Sequence, residues 1–191
     1  MMGKDEFWFL IQTAYSEANW ETDKQMEILI GKLSQYEVEE ILKFGAIHDL
    51  YADESYKSKL WAAAYIMNGG CSGDCFDYFR GWLISQGEIQ FLNALENPDS
   101  IAELDIPEDT EYFENEAMLS VALQAFMKNT GTDDINSYFE KSGKYNLPEE
   151  EREDIINSII FDEDIDAYWD DNNTDSLREL CPNCLCQKVA S

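Results

Sequence analysis

The sequence predicts an all-α fold, and three observations carry that reading. Apolar residues recur at helical spacing in segment after segment. No alternating pattern of the kind a half-buried strand needs runs for more than a few residues. The densest stretch, LWAAAYIMNGGCSGDCFDYFRGWLISQG from Leu60 to Gly87, divides into two apolar helices about a glycine-rich turn, which predicts an αα-hairpin at the centre of the core.

Each element follows from its own spacing. Phe7, Leu10, Ile11, Ala14 and Ala18 make the first helix, with Trp8 and Phe9 thickening its apolar side. Thr22 with Gln25 reads as a capping box for a second helix striped by Met26, Leu29, Ile30 and Leu33. Ser34 with Glu37 repeats the device before a third, along which Ile41, Phe44, His48 and Tyr51 share a face. A polar segment from Asp53 to Lys59 leads into the hairpin. There Leu60 to Met67 is apolar all round, Asn68-Gly69-Gly70 stops the helix, and Ser72 caps the next one with Asp74 in its first turn. Phe76, Phe79, Leu83 and Trp82 form the stripe of that second hairpin helix, while Asp77 and Arg80 are placed to pair at i, i+3.

Beyond Gly87, Phe91, Leu92 and Leu95 support a short helix ended by Asn97-Pro98, and the acidic stretch around Pro107 reads as a loop. A strong apolar helix is expected from Phe113 to Asn129, closed by Gly131, and another from the recurrence of Ile155, Ile156, Ile159 and Ile160. The segment from Thr132 to Pro148 is mixed. The expected organisation is a single irregular helical domain over residues 1–161, followed by an acidic, cysteine-bearing tail over 162–191, packed on that domain or flexibly attached to it.

The chain has 191 residues, 45% of them hydrophobic and 13% aromatic, enough for a sizeable core. Its outlier is charge: 40 acids against 13 bases give a formal net of -27. Residues 1–100 carry 17 acids and 7 bases, whereas residues 101–191 carry 23 and 6, so the excess lies in the second half. Such a field repels phosphate backbones and favours basic partners, and neither nucleic-acid nor membrane binding is expected. No apolar run approaches the roughly 18 residues of a membrane span. Met1 leads into an amphipathic run without a basic and then apolar leader, so a cytoplasmic location with reduced thiols is expected for the five cysteines.

Motifs that would assign an activity are missing. There is no glycine-rich phosphate loop, no G-x-S-x-G elbow and no H-E-x-x-H. The single histidine, His48, falls on an apolar stripe, where it reads as a core or rim residue. Cys181, Cys184 and Cys186 have knuckle-like spacing, but a closed zinc site needs a fourth ligand, so no metal is expected. Asp162, Asp164 and Asp166 open like a calcium loop that then fails at Ala167, where glycine is needed, and at Asn173, where a bidentate Glu is needed. The frame from Asp171 fails at Ser176 and Pro182.

The hairpin turn is the one place where small and polar groups gather, with Cys71, Ser72 and Asp74 beside Arg80 and Trp82. A helix N-terminus of that composition can receive a small anion or a peptide carboxylate, and it can lower the pKa of Cys71; equally, its glycines can simply make the corner. A second grouping sets Tyr168 and Trp169 among Asp164, Asp166, Asp170 and Asp171, which suits an aromatic anchor for a basic partner.

Three blocks, DEFWFLI, LWAAAYIMNGGCS and FDYFRGWLISQG, resemble in their order the bacterial family catalogued as domain of unknown function 4240. The resemblance covers roughly residues 4–130 and implies a mostly helical bacterial cytosolic domain, with no activity attached. Trp61, Gly69, Gly70, Cys71, Ser72, Asp77, Tyr78, Phe79, Arg80, Trp82, Gln86 and Gly87 match the family pattern. The chain departs from it at Cys75 and in the cysteine-bearing tail, which counts further against zinc. The leading expectation is an acidic interaction module, immunity-type or regulatory, that binds a basic partner. The alternative is an enzyme or small-ligand receptor using the Asn68 to Asp74 turn with Arg80. No catalytic residue and no cofactor is assigned, and the reading leans away from an enzyme.

Overall fold

In the computed structural model, residues 1–107, 110–170 and 173–184 are described, and among them every regular element is a helix. The elements are α1 (Lys4–Ala18), α2 (Thr22–Leu33), α3 (Val38–Glu54), α4 (Ser58–Asn68), α5 (Gly73–Ser85), α6 (Glu88–Glu96), α7 (Val121–Thr130), α8 (Ile135–Ser142), α9 (Glu149–Asn157) and α10 (Thr174–Leu180). Two 3-10 segments, Pro98–Glu103 and Glu116–Ser120, punctuate the middle of the chain.

The core is aromatic at two linked centres. Phe7 and Trp8 of α1 meet Phe44 and Tyr51 of α3 and Phe91 of α6, and the Trp8 indole N–H donates to the Tyr51 hydroxyl at 3.0 Å. Phe76 and Phe79 of α5, both fully buried, carry the stack outward to Trp61 and Trp82. Burial pushes the Tyr51 and Tyr138 hydroxyls up to about 12. Both groups therefore favour the folded state below their ordinary pKa near 10, and that stability is lost as pH rises toward 12. The hydrogen bond to Glu6 likewise raises Tyr36 to about 12, so an alkaline titration followed by tyrosinate absorbance is expected to show at least three hydroxyls titrating late, with the melting temperature falling across that window.

The α4–α5 corner follows its sequence closely. Gly69 ends α4 in the left-handed region at φ 69°, Gly70 stands at φ 131°, and its N–H bonds the Tyr65 carbonyl at 2.8 Å. The Ser72 hydroxyl caps α5 by accepting from the Cys75 N–H at 3.2 Å. A Cβ at Gly70 would meet nothing within 4 Å, so Gly70→Val tests the backbone alone. It is expected to cost about 1–2 kcal/mol in a thermal or denaturant melt, because a β-branched residue resists positive φ.

Elsewhere local signals yield to tertiary contacts. Neither expected capping box forms: α2 begins without a side-chain cap because Gln25 is buried and donates to the Ser85 carbonyl at 2.7 Å, and the Ser34 hydroxyl turns back to the Gly31 carbonyl. Phe9 is exposed, not part of the core. The helix expected from Phe113 starts later. Asn115 caps the 3-10 segment Glu116–Ser120 by accepting from the Met118 N–H, and α7 proper begins at Val121. The helix of the late isoleucines stops at Asn157, leaving Ile159 beyond its end and Ile160 exposed. The mixed segment after Thr132 contains α8, whose Tyr138 reaches the core.

The C-terminal stretch is docked. The Asp162 N–H bonds the Leu95 carbonyl at 2.9 Å, Ile165 and Leu177 are buried, and α10 packs on α4. Asp99, itself buried in the first 3-10 segment, accepts from the backbone N–H groups of Asn183 at 2.8 Å and Cys184 at 3.0 Å and from the Asn183 amide at 2.7 Å.

Candidate functional site

Arg80 lies on α5, yet its guanidinium is buried, with both terminal nitrogens engaged and Nε without a hydrogen-bond partner among the described residues. It pairs with Asp77 one turn earlier, donates to the Ala52 carbonyl in the last turn of α3, and stacks over the rings of Tyr56 and Phe76 at 4.8 and 5.0 Å. The i, i+3 pairing with Asp77 is as expected from spacing. What spacing does not show is that Tyr56 and Ala52 close over the guanidinium. Arg80 therefore works as an interior cap of α3, where a cation complements the helix C-terminus.

At the turn itself, Ser72 and Asp74 are exposed, and Cys71 and Cys75 are half-buried with their sulfurs 2.7 Å apart. The Trp61 indole donates to the Cys71 carbonyl at 3.0 Å. Asn68 ties the turn to a passing strap, accepting from the Phe113 N–H at 2.9 Å while its amide approaches the Cys75 sulfur at 3.6 Å. The expectation of a lowered Cys71 pKa is corrected: burial, then the Cys75 thiol and the charge of Glu114, raise it well above the ordinary value. Cys75 is raised as well, chiefly by burial. The helix N-terminus is outweighed, and at neutral pH both thiols stay protonated and weakly nucleophilic.

Trp82 faces a different neighbourhood. It is buried, stacks edge-on with Phe113 at 5.2 Å, and lines a cavity with the end of α1 and the strap through Glu114. The five residues proposed from sequence thus divide into an exposed turn edge, an interior cation and a cavity wall. Glu114, which raises both thiols and lines the cavity, carried no sequence signal.

The acidic grouping divides likewise. Trp169 is half-buried, packs against Tyr65 at 5.3 Å, and its indole donates to the Ser58 carbonyl at 2.9 Å. Tyr168 is 86% exposed, the highest of any aromatic side chain among the described residues, and Asp164 and Asp166 beside it are exposed. Asp170 is half-buried, and Asp171 lies outside the described residues. Asp162, by contrast, faces inward: burial would raise it, but the Lys59 ammonium at 2.9 Å and the Asp164 N–H hold its carboxyl below the ordinary value.

His48 is buried within α3, its ring 3.2 Å from Asp49, and its Nε2 is buried without a partner among the described residues. Cys181 and Cys184 are buried, with the Cys184 thiol against the Pro98 and Asp99 carbonyls; Cys186 lies outside the described residues. No group of three or more His, Cys, Asp or Glu side chains is placed to hold a metal ion among the described residues. None of the described helices is long and apolar enough to cross a membrane.

No curated protein and no solved structure matches the chain. A family model does, over residues 2–128, a span that holds the aromatic core, the Cys71 corner, Arg80 and the cavity behind Trp82 but not the docked C-terminal stretch. The chain belongs to the family described as protein of unknown function (DUF4240).

Proposed function

We propose that the protein is an acidic interaction module whose C-terminal stretch engages a basic protein partner. The observation that carries this reading is Tyr168, an exposed ring flanked by exposed Asp164 and Asp166 and held in place by the next residue. Trp169, the other half of the aromatic pair, is the internal anchor: its bond to Ser58 and its packing on Tyr65 hold the backbone that presents Tyr168. The net charge of -27 would accelerate encounter with a cationic surface, and a ring that becomes buried on contact would slow release.

The two aromatics separate by experiment. Trp169→Ala is expected to lower stability by about 1–2 kcal/mol, less than a full core tryptophan, because the ring is only half-buried. Tyr168→Ala is expected to leave the melting temperature unchanged. Basic proteins retained on the immobilised chain at low salt, then purified, give the binding measurement. Their association rate is expected to fall steeply as salt rises, and Tyr168→Ala to speed dissociation about tenfold, the scale of a hot-spot ring. No salt-sensitive partner, or one indifferent to Tyr168, would remove the proposal.

A further inference from the structure

The cavity behind Trp82 has features that neither the docked C-terminal stretch nor the Cys71 turn accounts for. Its volume is about 70 Å³. That is several times the roughly 10–15 Å³ one water needs, yet far below the roughly 300 Å³ at which pockets for drug-sized ligands begin. It suits a head group of a few heavy atoms. Four aromatic side chains line it, Tyr15, Trp20, Trp82 and Tyr112, together with Glu114 and four neutral polar side chains, of which Gln25 and Gln86 already donate their amides to the Ser85 and Trp82 carbonyls. Trp82 is the buried wall, Tyr15 is half-buried, and Trp20 and Tyr112 are exposed at 45% and 64%, as befits a rim.

A second observation concerns how Trp20 gets there. Asn19 and Trp20 are the only non-glycine residues at positive φ among the described residues, at 52° and 72°. For a bulky side chain this is a strained conformation, and such strain collects at ligand clamps. The turn brings the Trp20 ring to Tyr15 in an edge-on contact of 5.3 Å, setting two π-systems at the mouth of the cavity. Burial first, then the nearby charge of Asp105, raises the Tyr15 hydroxyl, so a further carboxylate stands close to the mouth. Among the described residues, no lysine or arginine lines the cavity.

Aromatic faces around a small space, with carboxylate charge and no cation of their own, select a cation that sheds its water cheaply. A plain ammonium or guanidinium needs several hydrogen-bond acceptors to replace lost water. A methylated ammonium needs contact surface and a negative field, and this cavity provides both. We infer that the Tyr15–Trp20–Trp82–Tyr112 cavity with Glu114 is a binding site for a methylated ammonium group. The inference is independent of the basic-partner proposal, since it uses none of the C-terminal residues.

The probes are choline, its uncharged carbon isostere 3,3-dimethylbutanol, and a short trimethyllysine peptide, titrated against the full chain by calorimetry and by tryptophan fluorescence. Choline or the peptide is expected to bind at least about tenfold more tightly than the neutral isostere, the ratio that cation–π contacts imply. Tighter binding of choline points to a small-molecule source, tighter binding of the peptide to a modified protein tail. Trp20→Ala and Glu114→Gln are each expected to weaken binding about tenfold while melting like the parent chain. Trp20→Phe, which keeps a ring at the mouth, should restore part of the affinity. Equal binding of charged and neutral probes, no saturable binding of either cation, or affinity unchanged in Trp20→Ala would overturn the inference.

Discussion

Arg80→Ala is expected to destabilise the protein by about 3 kcal/mol, read as a fall in denaturant midpoint at constant slope. The size follows from what the guanidinium holds. Its side chain is 8% exposed, whereas that of Asp77 is 45% exposed, so removing the arginine does not strand a buried anion. The loss falls on the other partners: the Ala52 carbonyl forfeits a charge-assisted donor at the end of α3, and Tyr56 and Phe76 lose the plane between them. Arg80→Lys is expected to recover little, since an ammonium cannot bridge Asp77 and Ala52 while stacking on two rings. A variant with near-native stability would instead leave Arg80 free for a ligand role.

The second large effect is expected at Gly81. An alanine in a helix interior ordinarily gains up to about 1 kcal/mol over glycine. Here a Cβ would stand 2.6 Å from the Asn115 carbonyl oxygen and 2.7 Å from Leu119 Cδ1, because α5 packs directly on the Glu116–Ser120 segment. The leucine tip can turn away, but the carbonyl belongs to a backbone tied to Tyr78 by a 2.9 Å hydrogen bond. Gly81→Ala is therefore expected to cost about 2 kcal/mol, the price of overpacking at a close backbone contact. Gly31→Ala is the internal control. Its Cβ would meet only the Lys128 ammonium at 3.7 Å, so this variant should gain about 0.5–1 kcal/mol. Equal effects at the two glycines would show that helix propensity, not contact, governs both.

Legibility in the sequence tracked the range of the interaction. The corner was readable because Asn68-Gly69-Gly70, Ser72 and the Asp77–Arg80 spacing act within a few residues of one another. The all-α class was readable for the same reason. The Thr22–Gln25 capping box failed where Gln25 found a partner 60 residues away, and the start of α7 was misplaced because Asn68 and Tyr78 draw the Phe113–Asn115 backbone into an extended strap. The buried state of Arg80 depends on the end of α3, and the aromatic cavity gathers Tyr15, Trp20, Trp82 and Tyr112 from distant segments. No local pattern announces either. Trp169 was legible as an anchor, but composition could not tell an anchor for the protein itself from one for a partner.

The bonds that dock the C-terminal stretch join residues far apart in the chain: Trp169 to Ser58 across 111 residues, and Asn183 to Asp99 across 84. Closing such loops in an open chain is entropically costly, and the core carries the same cost where α7 packs back on α2 and α3. Once Ile155 of α9 is buried and Lys43 holds Glu151 at 2.5 Å, the free segment shortens to the residues between Asn157 and Trp169, and closure becomes cheap. The C-terminal stretch is therefore expected to lock last in folding and to release first in unfolding. Weakening its anchor, as in Trp169→Ala, should leave the refolding rate almost untouched and speed unfolding. During synthesis the family-matched span emerges before the docked stretch, which then acts on a structure already formed, a latch expected to set how long the native state persists more than how fast it is reached.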